Sequence, residues 1–300
     1  MPRVALVGAG QIARKVYLPI LSALEDVELS VLVEPDARKR EQVNRAFRFG
    51  RAVGSVDELA EGEADCAFLL TPENVRLAPA KALMARGLDV LCEKPMSQSL
   101  ADCEELVATA ERTGRILMGG FNRRFMPVYV RAKQFLEGRR IELCRVQKQG
   151  ANLINHTIHI LDVLRFFCGE AVEVQAAGNF LGEKEAQIAA VIRFDGGAIG
   201  AFQTSARVGT RLEEFEAHGD GFSVTVEAPN KAVLCAGGRE EAFRPDRQTW
   251  YVQAEQNYGF TDEVKQFLEA VRTRRAPVNA AADEALLAPG GREIAVLVEY

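Results

Sequence analysis

The chain has 300 residues, of which 48% are hydrophobic and 26% are charged, and its formal net charge is −5. This composition is ordinary for a soluble protein, and the length suits one large or two medium domains. Both halves are mildly acidic, which argues against a nucleic-acid partner, and no apolar stretch is long enough to span a membrane. The first residues resemble a strand rather than a signal peptide, so we expect a cytoplasmic protein.

Six cysteines are scattered along the chain without a C-x-x-C pair, most of them in apolar runs. This pattern predicts reduced, buried thiols rather than disulfides or a zinc site. Two of the three histidines, His156 and His159, are close in sequence, but the further ligands that a metal ion needs are not found nearby. We therefore predict no metal site.

The first 120 residues alternate short apolar runs with segments of helical periodicity. Strands separated by helices of this length predict a doubly wound parallel sheet with helices on both faces, the α/β architecture of a Rossmann domain. The predicted strands are 3–8, 27–33, 51–53, 65–70, 89–92 and 116–120. The predicted helices are 11–24, 37–47, 56–60, 74–86 and 100–112.

The pattern changes near residue 120, so residues 1–120 and 121–300 are predicted to form two domains without a long linker. Most of the stretch 171–253 reads as alternating strands, and two glycine-containing turns mark hairpins: Asp195-Gly196-Gly197 and Gly219-Asp220-Gly221. We predict an α+β domain with a large, mainly antiparallel open sheet. Its other predicted elements are strand 142–148 and helices 126–137, 155–167, 261–272 and 281–297.

A glycine motif, Gly8-Ala9-Gly10-Gln11-Ile12-Ala13, directly follows the first predicted strand and opens the first helix. Gly8 permits a tight turn, Gly10 lets the backbone approach a pyrophosphate, and Ala13 lets the helix pack on the strand. The helix N-terminus offers amides and a partial positive charge to the phosphates. With strand, turn and helix all in place, the motif predicts dinucleotide binding. The turn residues assigned to the cofactor are Gly8, Gly10, Gln11 and Ile12.

An acid at the end of the second strand, Glu34, lies 24 residues beyond Gly10. Its carboxylate is placed to accept both hydroxyls of an adenosine ribose, whereas a 2′-phosphate there would meet a like charge. NAD(H) is therefore favoured. The basic residues at 38–40 begin the next helix and could accommodate a phosphate, which keeps NADP(H) possible. A purely structural alternative is that Glu34 only caps that helix.

Two further strand ends carry polar residues at the same edge of the predicted sheet, where ligands of open α/β sheets bind. Thr71-Pro72 follows strand 65–70, and Glu93-Lys94-Pro95 follows strand 89–92. We expect Thr71, Glu93 and Lys94 to contact the cofactor. Lys94 is also placed where a reacting group would lie, and a surface lysine at a strand end is the plain alternative.

Together these motifs resemble the Gfo/Idh/MocA oxidoreductases: the glycine turn, Thr71-Pro72, Glu93-Lys94-Pro95 and the segment 150–162 (GANLINHTIHILD). The segment 119–125 (GGFNRRF) resembles the virulence-factor-like branch of that family. The resemblance implies a Rossmann domain, a C-terminal open sheet that pairs subunits into a homodimer or homotetramer, and NAD(P)-dependent chemistry on sugars and polyols. It also implies that Lys94 lies beside the nicotinamide and the substrate oxygen.

The family's helix motif carries an Asp followed four residues later by a His, and the corresponding residues here are Asn155 and His159. Residues at i and i+4 share one helical face, so both can project toward one ligand. Histidine titrates in the range needed to exchange the proton of an alcohol, and a cationic Lys94 would stabilise alkoxide character. We therefore predict Lys94 and His159 as the catalytic residues. A buried structural histidine is the alternative.

Polar residues near these positions are predicted to bind the substrate: Asn152, Asn155 and Arg123. Asn122, which follows the last Rossmann strand, is assigned to the cofactor. Arg124 is expected at the surface. Asp162, on the His159 side of the helix, could orient the imidazole, and a structural role is favoured.

The sequence thus predicts an NAD(P)-dependent oxidoreductase that transfers a hydride between nicotinamide and a hydroxyl or carbonyl of a sugar- or polyol-like substrate. Two alternatives stay open. Because Asn155 replaces the family acid, the chain could bind the dinucleotide without turnover, as a sensor or regulatory protein. A dinucleotide-dependent lyase or epimerase would instead keep its cofactor bound without net redox change. The predicted partners are a small-molecule substrate and further copies of the chain.

Overall fold

The computed structural model describes residues 1–97, 99–150, 156–181, 185–246 and 254–277. The chain divides into two units. Unit 1 holds residues 1–121 and the described residues from 260 onward, and unit 2 holds the described part of residues 122–259. Among the described residues, no helix is long and apolar enough to cross a membrane. The predicted helix 281–297 lies outside the described residues.

Unit 1 contains a six-stranded sheet in the order β3-β2-β1-β4-β5-β6, and every pairing in it is parallel. The strands are β1 (Arg3–Val7), β2 (Glu28–Val33), β3 (Arg51–Val53), β4 (Cys66–Leu69), β5 (Asp89–Cys92) and β6 (Leu117–Gly119). Because the order reverses between β1 and β4, the crevice outside their carboxyl ends is the place where such sheets bind ligands. The predicted doubly wound parallel sheet is confirmed.

Helices connect these strands. They are α1 (Leu18–Ala23), α2 (Ala37–Phe47), α3 (Leu77–Ala85) and α4 (Leu100–Thr113), with single 3₁₀ turns at Val56–Glu58 and Glu73–Val75. The first helical segment departs from the regular helix predicted over 11–24, because a π-helical stretch, Ala13–Tyr17, precedes α1. Pro19 lacks the N–H that would bond the carbonyl four residues earlier, and the wider turn accommodates that loss.

Unit 2 contains an eight-stranded sheet in the order β14-β13-β12-β11-β7-β10-β9-β8. Its strands are β7 (Leu143–Gln149), β8 (Ala171–Phe180), β9 (Ala186–Phe194), β10 (Ile199–Ser205), β11 (Leu212–Gly219), β12 (Phe222–Glu227), β13 (Lys231–Ala236) and β14 (Arg239–Phe243). All neighbours pair antiparallel except β7 and β10, which run parallel. The predicted open sheet, mainly antiparallel, is therefore confirmed.

One face of the unit 2 sheet carries the core, and the other is open. Helices α5 (Pro127–Leu136) and α6 (Ile158–Cys168) contribute to the core together with the inward residues of the strands. Strand residues alternate between buried and accessible positions, as a sheet covered on one side requires. Large apolar side chains remain on the open face: Leu143, Val191 and Ile199.

The last described helices are α7 (Ala254–Asn257) and α8 (Phe260–Thr273). The sequence analysis placed the region of α8 in the second domain, whereas the structure groups α8 with unit 1. Its apolar side packs on the parallel sheet, and the ring of Phe267 meets that of Phe68 in β4 edge-on at 5.3 Å. The sequence gives no local signal that the chain goes back to unit 1 after residue 259.

Candidate active site

The glycine turn after β1 is built around Gly8, whose φ of +94° lies in the left-handed region that favours glycine. A Cβ on Gly8 would lie 3.0 Å from the backbone nitrogen of Thr71 and 3.1 Å from its Cγ2. The Gly8 N–H donates to the carbonyl of Val33 at 2.9 Å. The turn is thus fixed between the ends of β2 and β4, at the point where the strand order reverses.

The next glycine, Gly10, faces open space, since a Cβ built on it would meet nothing within 4 Å. Helical residues begin at Gln11, so the first amides of this helix have no partner within it. The Thr71 hydroxyl nearby is buried and has no hydrogen-bond partner among the described residues. An approachable backbone, helix-terminal amides and an unsatisfied hydroxyl all fit the pyrophosphate region of a dinucleotide.

The carboxylate of Glu34 contacts this turn directly. It is buried, and its Oε2 accepts the Ala9 N–H at 2.8 Å while its Oε1 accepts the Asp36 N–H at 3.0 Å. Asp36, rather than Glu34, caps α2, because it accepts the N–H groups of residues 38 and 39. The capping role considered for Glu34 is therefore not what the structure shows. Arg40 donates to the carbonyl of Glu34 at 2.5 Å.

Lys94 follows β5 and is half-buried. The preceding residue, Glu93, is buried, and its Oε2 accepts the Lys94 N–H at 2.9 Å. A Cβ on Gly120 would lie 3.2 Å from the Glu93 Cα and 3.3 Å from its Cδ, so this glycine, which directly follows β6, makes room for the acid. The backbone at Lys94 is held by the carboxylate beside it.

Tyr17 links the first helix to the Lys94 segment, and the sequence analysis did not identify it. Its hydroxyl lies 2.9 Å from Glu93 Oε1 and 3.2 Å from Glu263 Oε2 of α8. Burial, reinforced by the two carboxylates, raises the pKa of Tyr17 well above its ordinary value. Tyr17 therefore remains a neutral hydroxyl that can donate to either acid.

Arg76, at the start of α3, was also missed, although the sequence carried a signal for it. Its Nε donates to the carbonyl of Thr71 at 2.8 Å, and its Nη1 donates to the carbonyls of Glu93 and Pro95. A cation is disfavoured at a helix N-terminus, so an arginine there indicates a specific partner elsewhere. In unit 1 these contacts join the strand end at Thr71 to the strand end that carries Lys94.

In unit 2, the predicted catalytic histidine lies on α6. His159 is buried, whereas His156, to which no role was given, is exposed. Asp162, one turn further, accepts the Arg124 Nε–H between its two oxygens at 3.0 and 3.1 Å and an Nη2–H at 2.5 Å. This ion pair supports the expected structural role of Asp162. The expectation that Arg124 lies at the surface is wrong, because this ion pair and the ring of Phe166, 5.5 Å from its guanidinium, hold it inside.

A second buried charge cluster in unit 2 surrounds Glu213. Arg123 reaches both of its carboxylate oxygens at 3.3 Å, Lys148 of the neighbouring strand donates to Oε2, and the Tyr129 hydroxyl lies 3.3 Å from Oε1. Burial tends to raise the pKa of Glu213, but the charges of Arg123 and Lys148 outweigh it and lower the pKa to about 2. Glu213 and Lys148 lie on neighbouring strands, at positions that the alternating pattern assigns to the buried face. Charged residues at such positions were the signal in the sequence that a buried ion pair is present.

The remaining predicted residues of unit 2 divide into described and undescribed ones. Asn122 is fully buried; its Oδ1 accepts from Arg123 at 3.1 Å and its Nδ2 donates to the Tyr258 carbonyl at 2.7 Å. Both ends of its side chain are thus used within the unit. Asn152 and Asn155 lie outside the described residues. In the described part of the chain, no group of three or more His, Cys, Asp or Glu could hold a metal ion.

Residues 2–121 match the oxidoreductase family with an NAD-binding Rossmann fold, and residues 128–225 match the GFO/IDH/MocA C-terminal domain. The chain belongs to the Gfo/Idh/MocA family. Members similar to it include myo-inositol 2-dehydrogenase of Thermotoga maritima, 24% identical over 94% of this chain and 91% of that protein. The scyllo-inositol 2-dehydrogenase (NAD(+)) of Bacillus subtilis is 24% identical over 92% of this chain and 88% of that protein.

Among solved structures, the dehydrogenase MviM of Clostridium difficile is similar to this Gfo/Idh/MocA chain. The two are 25% identical, with a TM-score of 0.82 over 95% of each chain. The family match confirms the predicted oxidoreductase with a nicotinamide-dinucleotide cofactor, and it favours catalysis over the alternative of binding without turnover.

Proposed function

We propose that this Gfo/Idh/MocA chain uses NAD to transfer a hydride to or from a hydroxyl or carbonyl carbon of a sugar- or polyol-like substrate. The observation that carries the proposal lies in unit 1, where Arg76 joins Thr71, beside the glycine turn, to the segment that carries Lys94. The glycine turn, Thr71 and Lys94 thus lie at one edge of one sheet, which supports a dinucleotide site beside the lysine. The relatives named as inositol dehydrogenases support the substrate class.

NAD is the preferred cofactor in this proposal. The buried carboxylate of Glu34 touches the glycine turn, and Asp36 adds a second negative charge at the same strand end. A 2′-phosphate would meet both charges. Arg40, which could have favoured NADP, is bonded to the carbonyl of Glu34 instead. The proposed cofactor contacts are those of the sequence analysis in unit 1: Gly8, Gly10, Gln11, Ile12, Glu34, Thr71, Glu93 and Lys94. Asn122, also predicted as a contact, is left out because its fully buried side chain is bonded at both ends within unit 2.

The proposed chemistry assigns one task to each catalytic residue. The nicotinamide ring, when bound, supplies or accepts the hydride. The Lys94 ammonium lowers the pKa of the substrate hydroxyl and stabilises developing alkoxide charge. His159 takes the hydroxyl proton in oxidation and returns it in reduction. Orientation of the substrate is assigned to Asn152, Asn155 and Arg123, and Arg123 would share its guanidinium with Glu213.

We further propose that the chain acts in the cytoplasm as a homodimer or homotetramer assembled through the open face of the unit 2 sheet. Exposed Val191 and Ile199 lie on this face, together with the ion pair between Arg145 and Glu216 at 2.7 Å. Apolar side chains within a polar frame are typical of a protein interface.

The function is tested by adding NAD with polyols, or NADH with keto-sugars, and following the absorbance of the reduced nicotinamide. The dissociation constants of NADH and NADPH are measured in parallel by fluorescence titration. We expect turnover of at least one compound and tighter binding of NADH. Tight NADH binding without turnover across a broad panel would contradict the proposal and favour a sensor.

A further inference from the structure

The guanidinium of Arg76 is buried and donates to three backbone carbonyls. One acceptor is Thr71, next to the glycine turn, and the other two, Glu93 and Pro95, flank Lys94 on both sides. The N–H of Lys94 is bonded to the Glu93 carboxylate at 2.9 Å. The main chain around Lys94 is therefore held by two charged side chains. Arg76 binds the carbonyls of the residues on either side of Lys94, and the Glu93 carboxylate binds the Lys94 N–H.

An arginine, with its planar fork, suits this set of contacts better than lysine or glutamine does. Its planar guanidinium has five donors in a fixed geometry, whereas lysine is a compact point charge on a flexible stem and glutamine has two donors. A buried carbonyl without a donor is unfavourable. Each hydrogen bond that is lost with the arginine therefore favours movement of the main chain toward another donor.

The segment after Lys94 is anchored independently of Arg76. The Ser97 hydroxyl donates to Asp102 at 2.8 Å and accepts the Ser99 N–H at 3.2 Å, which fixes the chain at the start of α4. Loss of Arg76 would therefore affect mainly residues 93–95, between two anchored ends.

We infer that Arg76 is a positioning residue for the hydride-transfer step. It sets the distance between Thr71, which lies beside the glycine turn, and the backbone of Lys94. It does so without touching the substrate itself. This inference rests on the proposed function, because it gives Arg76 a task only if Lys94 acts on the substrate. A displacement of the reacting group by about 1 Å reduces turnover on the order of 100-fold.

The test compares Arg76→Gln and Arg76→Lys with Arg86→Gln, a control at the other end of the same helix. Arg86 donates to the Ala82 carbonyl at 3.3 Å and makes no contact with the Lys94 segment in the described hydrogen bonds. We measure kcat, KM, the Kd of NADH and the thermal midpoint of each variant. We expect kcat to fall roughly 100-fold in Arg76→Gln, with the Kd of NADH within about threefold of wild type.

Two further measurements separate positioning from a general effect on folding. Guanidinium ion added to Arg76→Ala should restore part of the lost kcat, which a globally misfolded variant would not show. The rate at which an amine-specific reagent modifies Lys94, followed by mass spectrometry, should change severalfold in Arg76→Gln and stay at the wild-type value in Arg86→Gln.

Wild-type kcat and wild-type Lys94 labelling in either Arg76→Gln or Arg76→Lys would overturn the inference. If Arg76→Gln does not fold, Arg76→Lys decides by the same criteria, because lysine keeps the positive charge but lacks the planar array of donors. If the wild-type protein turns over no substrate, the proposed function fails, and the labelling rates still decide whether Arg76 positions Lys94.

Discussion

Replacing Gly10 by alanine should separate cofactor binding from folding. The added methyl group would meet no protein atom within 4 Å, and the φ of Gly10 lies outside the left-handed region, so the folded chain accepts it. A Gly→Ala change at such a position stabilises a protein by about 0.4–1 kcal/mol through the unfolded chain. The same methyl group occupies the space through which a phosphate would approach the backbone.

The expected loss of affinity follows from the contact that the methyl group prevents. A hydrogen bond from a backbone amide to a charged phosphate contributes about 1.5–3 kcal/mol, so losing one weakens the Kd of NADH roughly 10- to 100-fold. The assay is a fluorescence titration with NADH, accompanied by a thermal melt. We expect the Kd to be at least tenfold weaker, which corresponds to a loss of about 1.4 kcal/mol of binding free energy. The thermal midpoint should equal or exceed that of the wild type.

Two matched variants complete this experiment. Gly209→Ala places the same methyl group in open space in unit 2, and it should change neither the Kd nor the melt appreciably. Gly8→Ala meets Thr71 at 3.0 Å with φ at +94°, so it should lower the thermal midpoint as well as the affinity. An unchanged Kd of NADH in Gly10→Ala would refute the placement of the pyrophosphate at this turn.

Three other outcomes are expected. Glu34→Gln should shift the ratio of NADPH to NADH affinity at least about tenfold toward NADPH, since it removes the charge that opposes a 2′-phosphate; an unchanged ratio in paired titrations would count against that role. Although burial opposes it, pairing with Arg123 and Lys148 lowers the pKa of Glu213 to about 2. The ionised carboxylate therefore stabilises the fold above its ordinary pKa, and about 3 kcal/mol of unfolding free energy should be lost as the pH falls from about 5 to about 2. Other carboxylates also lose stabilisation over this range, so urea unfolding should show a loss larger by about that amount in the wild type than in Glu213→Gln. Val191→Glu on the open sheet face should reduce the sedimenting mass to that of a smaller assembly, and an unchanged mass would place the interface elsewhere.

Local patterns predicted the sheet edge well because each signal lies within a short stretch. Gly8 and Gly10 sit in one turn, and Lys94 directly follows an apolar strand, so strand, turn and residue type could be read together. Alternation together with the two glycine-containing turns was enough to predict the sheet of unit 2, since one face is covered and the other is open.

Contacts between distant segments could not be predicted in the same way. Tyr17 meets Glu93 from 76 residues away and Glu263 from 246 residues away. Arg124 looked like a surface residue because its partner Asp162 lies 38 residues further on. Arg124 gave no local sign of being buried, because its counter-charge comes from another element.

Some of these buried charges nevertheless left a signal in the pattern. Arg76 stands at a helix N-terminus, where a cation is disfavoured, and Glu213 and Lys148 stand at inward positions of neighbouring strands. A charge placed against the local rule indicates a specific partner, and Arg76, Glu213 and Lys148 each have one.

The central claim is that Lys94 polarises the oxygen of the reacting substrate. With a substrate found by the panel, kcat is measured for Lys94→Met and for Lys81→Met, a control lysine on α3 that pairs with Glu105 at 2.7 Å. The account predicts that Lys94→Met lowers kcat by at least about 100-fold, the range attributed to preorganised charge, while the Kd of NADH stays near wild type and Lys81→Met keeps full activity. Equal kcat values for Lys94→Met and the wild type would contradict it.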